Sequence, residues 1–249
     1  MIWWVVIFGT LGGAGATVAS ALLMAFPEQM RRSVVPWLLS YATGTLLGAA
    51  FLGMIPKAFA EADTLEVSAT VLAGIVAFFA LEKLVIWRHC HEDECEVHGS
   101  AGPLILIGDA FHNFVDGVVI AAAFMISVPL GVAAALAVIA HEVPQEVGDF
   151  AILLDSGYRP WKAFFWNTLS ATATLPGAIL AYYWLADTKG AIPYVLAVSG
   201  ASFIYIAVAD LIPTLHRQAS PAAAIRQFAL LLAGIATIVL FRIGAFTNG

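Results

Sequence analysis

The stretch FHNFVDGVVIAAAF, Phe111 to Phe124, sets a histidine, an asparagine and an aspartate inside a long apolar run. Further on, AHEVPQEVGDFAILL, Ala140 to Leu154, does the same with more charge. Whether these segments sit in water or in lipid decides the fold. The surrounding chain answers for lipid, because 61% of the 249 residues are hydrophobic and only 11% are charged, whereas a soluble domain carries about 45–50% apolar and 25% charged residues.

Crossing the hydrocarbon core as a helix takes about 20 mostly apolar residues. Eight such runs follow one another, at roughly 2–25, 35–59, 67–87, 103–126, 130–153, 162–185, 191–213 and 222–244. They are continuous rather than alternating, which excludes barrel strands. The expected fold is therefore an all-α integral membrane protein of eight transmembrane helices, a single transmembrane domain over residues 1–249. The first run lacks a basic leader and is long enough for a full span, so it reads as a helix rather than a cleaved signal.

Basic residues accumulate on the cytoplasmic side of a membrane. With both termini outside, Arg31, Arg32, Lys83, Arg88, Arg159, Lys162, Arg217 and Arg226 fall inside, leaving Lys57, Lys189 and Arg242 outside. This bias predicts outside termini and a cytoplasmic loop at 88–101, in a plasma or inner membrane. The net charge of -6 comes from acidic loops and the two polar helices and gives no reason to expect nucleic acid.

The links PEQMRRSVVP, SVPLG, DSGYRP and DTKGAIP carry turn residues. FLGMIPKAF in the second span echoes VADLIPTLH in the seventh, each placing Ile-Pro near a helix end. That echo fits an inverted repeat of helices 1–3 and 6–8 around central helices 4 and 5. Gly44 and Gly48 form a GxxxG spacing, which lets backbones approach closely. Packing within one subunit is the preferred use of it, and a homodimer the other.

The fourth and fifth spans carry Asp109, Asp116, Glu142, Glu146 and Asp149. A carboxylate near the bilayer centre costs about 2.5–3.5 kcal/mol on mild insertion scales, so the five would cost about 15 kcal/mol unless compensated. They must face one another, water or a cation. His112 and Asp116 are four residues apart, as are His141 and Gln145, and Glu142 and Glu146, so each pair shares a helix face. Asn113 widens the first stripe. Between antiparallel helices, a rise of about 1.5 Å per residue brings His112 level with Gln145 and Glu146, and Asp116 level with His141 and Glu142. Gly117 and Gly148 would permit close approach there, and Pro144 frees a carbonyl near position 140.

Imidazole nitrogen with carboxylate and amide oxygen is a ligand set for borderline divalent metals such as zinc, iron or manganese. The expected metal site is His112, Asn113, Asp116, His141, Glu142, Gln145 and Glu146, with Asp109, Asp149 and Asp210 along the pathway. Two other uses are open. HEVPQE is similar to the HExxH of zinc proteases, with Gln145 in place of the second histidine, and a membrane sensor would bind metal without moving it.

At these residues the chain resembles the ZIP (Zrt/Irt-like) metal transporters, in the branch with HNFxDG and HExPxExGDF motifs. GDAFHNFVDGVVIAAAF is similar to that family's fourth helix and HEVPQEVGDFAILLDSG to its fifth. LLSYATGTLLGAAFLGMIP, NTLSATATLPGA and FIYIAVADLIP resemble its second, sixth and seventh. The resemblance implies eight helices, no enzymatic activity, and divalent-metal uptake toward the cytoplasm through a binuclear site between helices four and five. The cargo would be Zn2+, with Fe2+, Mn2+ or Cd2+ as alternatives, and no cofactor beyond it. Carried over, His112, Asn113 and Asp116 match the ligands of helix four; His141, Glu142 and Gln145 match those of helix five. Glu146 matches a second glutamate. Three positions depart from the pattern: Gln145 replaces a histidine, Gly53 a histidine and Lys57 a glutamate. Between spans three and four, His89, Cys90, His91, Cys95 and His98 are expected to form a mobile, weakly metal-binding loop, since their spacing is not that of a zinc finger.

Overall fold

A computed structural model of the chain describes residues 1–87, 101–217 and 220–247. The described residues contain helices and no strands. They comprise α1 (Ile2–Met24), α2 (Glu28–Glu61), α3 (Thr64–Trp87), α4 (Ala101–Ile126), α5 (Val128–Asp155), α6 (Pro160–Ala171), α7 (Thr174–Asp187), α8 (Lys189–His216) and α9 (Pro221–Thr247). Seven of these are long and apolar enough to cross a membrane. The sequence stretch read as a sixth span is instead two helices of 12 and 14 residues, α6 and α7. The cause is Pro176, which has no N–H for the Thr172 carbonyl and whose ring excludes a regular turn there. The chain tightens locally, with Ala173 N donating to Ser170 O and Leu175 N to Thr172 O, and then resumes as α7.

The link PEQMRRSVVP is also not a loop, since α2 is helical from Glu28 straight through Pro36. Pro27 stands at its N-cap, where a missing N–H costs nothing, and Glu28 pairs with Arg32 at 2.5 Å in the first turn. Between α4 and α5 the turn is a single residue. Ser127 adopts an extended conformation, and its hydroxyl accepts from Leu130 N at 3.3 Å, capping α5.

The Ile-Pro echo has a structural counterpart. In α2, residues Ala49–Met54 widen into a π-helical turn, and Ile55 N reaches back five residues to Ala50 O. In α8, Ile206–Leu211 do the same, and Ile212 N reaches Ala207 O. Pro56 and Pro213 follow immediately; a proline has no N–H to continue the regular helical ladder, and one extra residue per turn accommodates that interruption. The packing is paired in the same sense. α2 lies against α9 and α8 against α3; α1 lies against α5 and α7 against α4.

Glycines set two of these approaches. A Cβ on Gly44 would sit 2.0 Å from Leu231 O in α9, and one on Gly117 would sit 2.0 Å from Thr174 O in α7. Gly44 therefore serves packing within the subunit. Gly148, expected to do the same as Gly117, has nothing within 4 Å of a built Cβ and mediates no close approach. The apolar core joins α2, α4, α5, α7 and α8 through Leu46, Met54, Ile120, Phe124, Val138, Leu185 and Phe203, and the polar faces of α4 and α5 are enclosed within it.

Candidate metal site

Four side chains from α4 and α5 converge on one point. His112 Nε2 is 3.3 Å from His141 Nε2, 3.3 Å from Glu142 Oε1 and 3.8 Å from Asp116 Oδ2. His141 Nε2 is 3.1 Å from Asp116 Oδ2 and 3.4 Å from Glu142 Oε1. A tetrahedral zinc with bonds of about 2.0–2.1 Å holds its ligands about 3.3–3.4 Å apart. These five separations bracket that value, so the histidine nitrogens stand from each other and from the two carboxylates at spacings that suit an ion of zinc's size.

The cluster is enclosed and rich in acceptors. Asp116 and Glu142 are fully buried, His141 is 1% exposed and the His112 side chain 20%. Both oxygens of Asp116 and both of Glu142 lack hydrogen-bond donors, although each unsatisfied buried group costs about 1–3 kcal/mol. The His141 tautomer is set from behind, because Nδ1 lies 3.0 Å from Ala137 O and a carbonyl can only accept. Nδ1 therefore faces an acceptor, and Nε2 points at the carboxylates. A backbone partner that fixes the ring in this way is the usual support of a metal-ligating histidine. Phe203 of α8 packs edge-on against the same ring.

Beside this cluster, ligand atoms of Asp109, Glu142 and Glu146 also lie within 4.8 Å of one another. Glu142 belongs to both groups. Asp116 is level with His141 as helix arithmetic predicts, but His112 meets His141 and Glu142 rather than Gln145 and Glu146. Glu146 turns instead toward α6, where Asn167 Nδ2 donates to its Oε2 and, at 3.3 Å, to its backbone carbonyl. Asn113, expected as a ligand, is engaged at both ends: Nδ2 donates to Asp109 Oδ1 at 2.9 Å, and Oδ1 accepts from the Thr174 hydroxyl at 2.7 Å. Gln145 is half-buried, and the four donors assemble without it.

The remaining expected residues scatter. Asp149 is buried, with Oδ2 lacking a donor, whereas Asp210 is exposed. His89, Cys90, His91, Cys95 and His98 lie outside the described residues. Lys57 pairs with Glu61 at 2.9 Å. It lines a cavity of about 370 Å3 together with Gly53, Ser127 and Leu130, at the end of the helices where α4 turns into α5. Asn167 and Thr174 were missed by reading titratable residues alone. Their signal is a polar stripe, Asn167, Ser170 and Thr174, in otherwise apolar helices.

Fold and geometry together describe a multi-pass membrane protein with a buried cluster of nitrogen and oxygen donors between α4 and α5. Comparison with known proteins gives the family. Residues 88–242 match the model of the ZIP zinc transporters. Zinc transporter ZIP13 of Pongo abelii is 36% identical over 220 residues, 82% of this chain and 66% of that protein. ZIP13 of Homo sapiens is 30% identical over 259 residues, covering 82% and 70%. Zinc transporter zipt-7.2 of Caenorhabditis elegans is 31% identical over 288 residues, covering 89% and 62%. The chain spans roughly two thirds of the length of these relatives. It belongs to the ZIP zinc transporter family, which places it among transporters rather than enzymes and sets aside the protease reading of HEVPQE.

Proposed function

We propose that this protein carries divalent transition-metal ions, zinc first among them, across a membrane toward the cytoplasm. His112, Asp116, His141 and Glu142 are the proposed ligands. The observation that carries the reading is the coincidence of zinc-sized spacings among two histidine nitrogens and two carboxylates with four buried carboxylate oxygens that, the histidines apart, have no hydrogen-bond partner. Borderline ions that accept both nitrogen and oxygen fit this set best, and Fe2+ or Mn2+ would be second choices. The ion sheds water as it enters between α4 and α5, and the protein-derived oxygens replace its hydration.

The bias of basic residues supports outside termini, a cytoplasmic 88–101 loop and a plasma or inner membrane. In that orientation the cavity at Lys57 is the entrance, and the histidines and cysteines of the loop would buffer metal on arrival. Zinc uptake by liposomes containing the purified protein tests the proposal. Uptake should fall at least tenfold in His112→Ala and in His141→Ala. Undiminished uptake in both excludes the site, and zinc binding with no uptake even in the wild type would make the protein a sensor.

A further inference from the structure

Where α5 gives way to α6, the chain encloses a pocket that faces lipid. The last turn of α5 closes with Gly157 N donating to Leu154 O and Tyr158 N to Leu153 O, and Gly157 takes the left-handed φ of 84° that this ending needs. The turn sets Tyr158 beside Ile107 of α4, over a cavity of about 460 Å3 between α4 and α6. Sites that hold small molecules span about 300–1,000 Å3. Ala110 forms part of the α4 wall, and Trp166, Leu169 and Ser170 form the α6 wall. Ile107, Trp166 and Leu169 are exposed, so the rim presents large apolar side chains to the bilayer.

Beyond the rim the chemistry changes within one helical turn. Arg159 is the N-cap residue of α6, and Lys162 precedes Trp166 by four residues and so shares its face. Both cations are exposed, and neither pairs with an acid among the described residues. The first turn of α6 holds no acid, and the link DSGYRPWK sets two bases against the single Asp155. Trp161, exposed between Arg159 and Lys162, is of the residue type that settles at the level of lipid headgroups. An apolar cavity below two cations and a tryptophan matches the two halves of one molecule, a fatty chain and a phosphate.

We propose that this corner binds an anionic phospholipid, with one acyl chain between α4 and α6 and the phosphate held by Arg159 and Lys162. A zwitterionic lipid fits the cavity equally well but brings its own cation to the two basic side chains, so net negative charge is what the cap selects. The seated chain also touches what lies behind the walls. Ala110 follows Asp109 in α4, and Ser170 Oγ donates to Asn167 O at 2.9 Å in α6. Both walls therefore carry members of the buried polar network, and the lipid keeps water from that side of it and fixes the gap between the two helices.

The test is native mass spectrometry of the detergent-purified full-length protein, offered phosphatidylglycerol and phosphatidylcholine with the same acyl chains. The wild type should retain phosphatidylglycerol with about tenfold preference. The double variant Arg159→Gln/Lys162→Gln should lose that preference and hold both lipids alike. Leu169→Trp, which fills the cavity from its rim, should lower retention of both. Lys83→Gln, on α3 and outside the lining, should change neither. Equal retention of the two lipids by the wild type would overturn the proposal, as would a preference that survives the double variant or retention unaffected by Leu169→Trp. Displacement of phosphatidylglycerol by inorganic phosphate would reduce the site to one for a free anion, and a lipid-free pair of chains would give this face to a second copy; either contradicts the assignment. Zinc is absent throughout, so the outcome is separate from that of the uptake experiment.

Discussion

Asp116 Oδ2 and His141 Nε2 face each other at 3.1 Å across the α4–α5 interface, with Asp116 receiving no hydrogen bond from the protein. Two fully enclosed groups paired in this way are a folding liability unless a cation joins them, as the proposed site requires. Asp116→Asn should therefore act with opposite signs. The metal-free protein should gain about 1–3 kcal/mol, since a buried charge without donors is removed. The stabilisation by zinc, about 2.7 kcal/mol at a hundredfold excess over Kd for the wild type, should disappear. Thermal melts with chelator and with zinc measure both, and a zinc shift that survives would show that Asp116 is not a ligand.

Asn113 occupies a position expected to bind metal, yet both ends of its amide are used within the protein. Asn113→Ala should weaken zinc stabilisation by about 1 kcal/mol, the scale of a supporting interaction, whereas His141→Ala, which removes a donor itself, should weaken it far more. Equal losses in the two variants would restore Asn113 to the ligand set.

The glycine contacts separate two residues that look alike in the sequence. Gly117→Ala drives a Cβ into the Thr174 backbone and should cost several kcal/mol or prevent accumulation of folded protein. Gly148→Ala meets open space and, lying within a helix, should stay within about 1 kcal/mol of wild type. Comparable yields and melting temperatures for the two would contradict the packing of α4 on α7.

Lys57 is the charged residue among those lining the cavity beside the α4–α5 turn. Its ammonium is offset by Glu61 but still repels cations arriving from that face. Lys57→Glu should raise zinc uptake at low zinc concentration by about threefold, and the gain should shrink as salt screens the field beyond about 8–10 Å. Initial rates at two ionic strengths measure this, and identical rates for both proteins would remove Lys57 from the pathway.

Much of this architecture is legible in the sequence because lipid imposes a length. A run of about 20 apolar residues has few alternatives to a spanning helix, and carboxylates inside such runs must converge on something. The level of Asp116 with His141 also follows from helix rise. His112 meets Glu142 and His141 instead of Gln145 and Glu146, because rise arithmetic fixes only the level of a residue and not the direction of its side chain. The break between α6 and α7 was present as Pro176 but was masked by uniformly apolar neighbours. Asn167 and Thr174 escaped for a related reason: a neutral polar side chain in a greasy helix carries little signal until its partner is known. The wide turns before Pro56 and Pro213 were anticipated only as a repeated Ile-Pro pair, since nothing in the composition distinguishes a π turn from an α turn.

X-ray absorption at the zinc edge tests the four-donor site most directly. Zinc-loaded protein should show nitrogen and oxygen neighbours at about 2.0–2.1 Å, with the scattering pattern of two imidazoles, falling to one in His141→Ala. A first shell without imidazole, or one dominated by sulfur at about 2.3 Å, would place the bound metal elsewhere and contradict a site between α4 and α5.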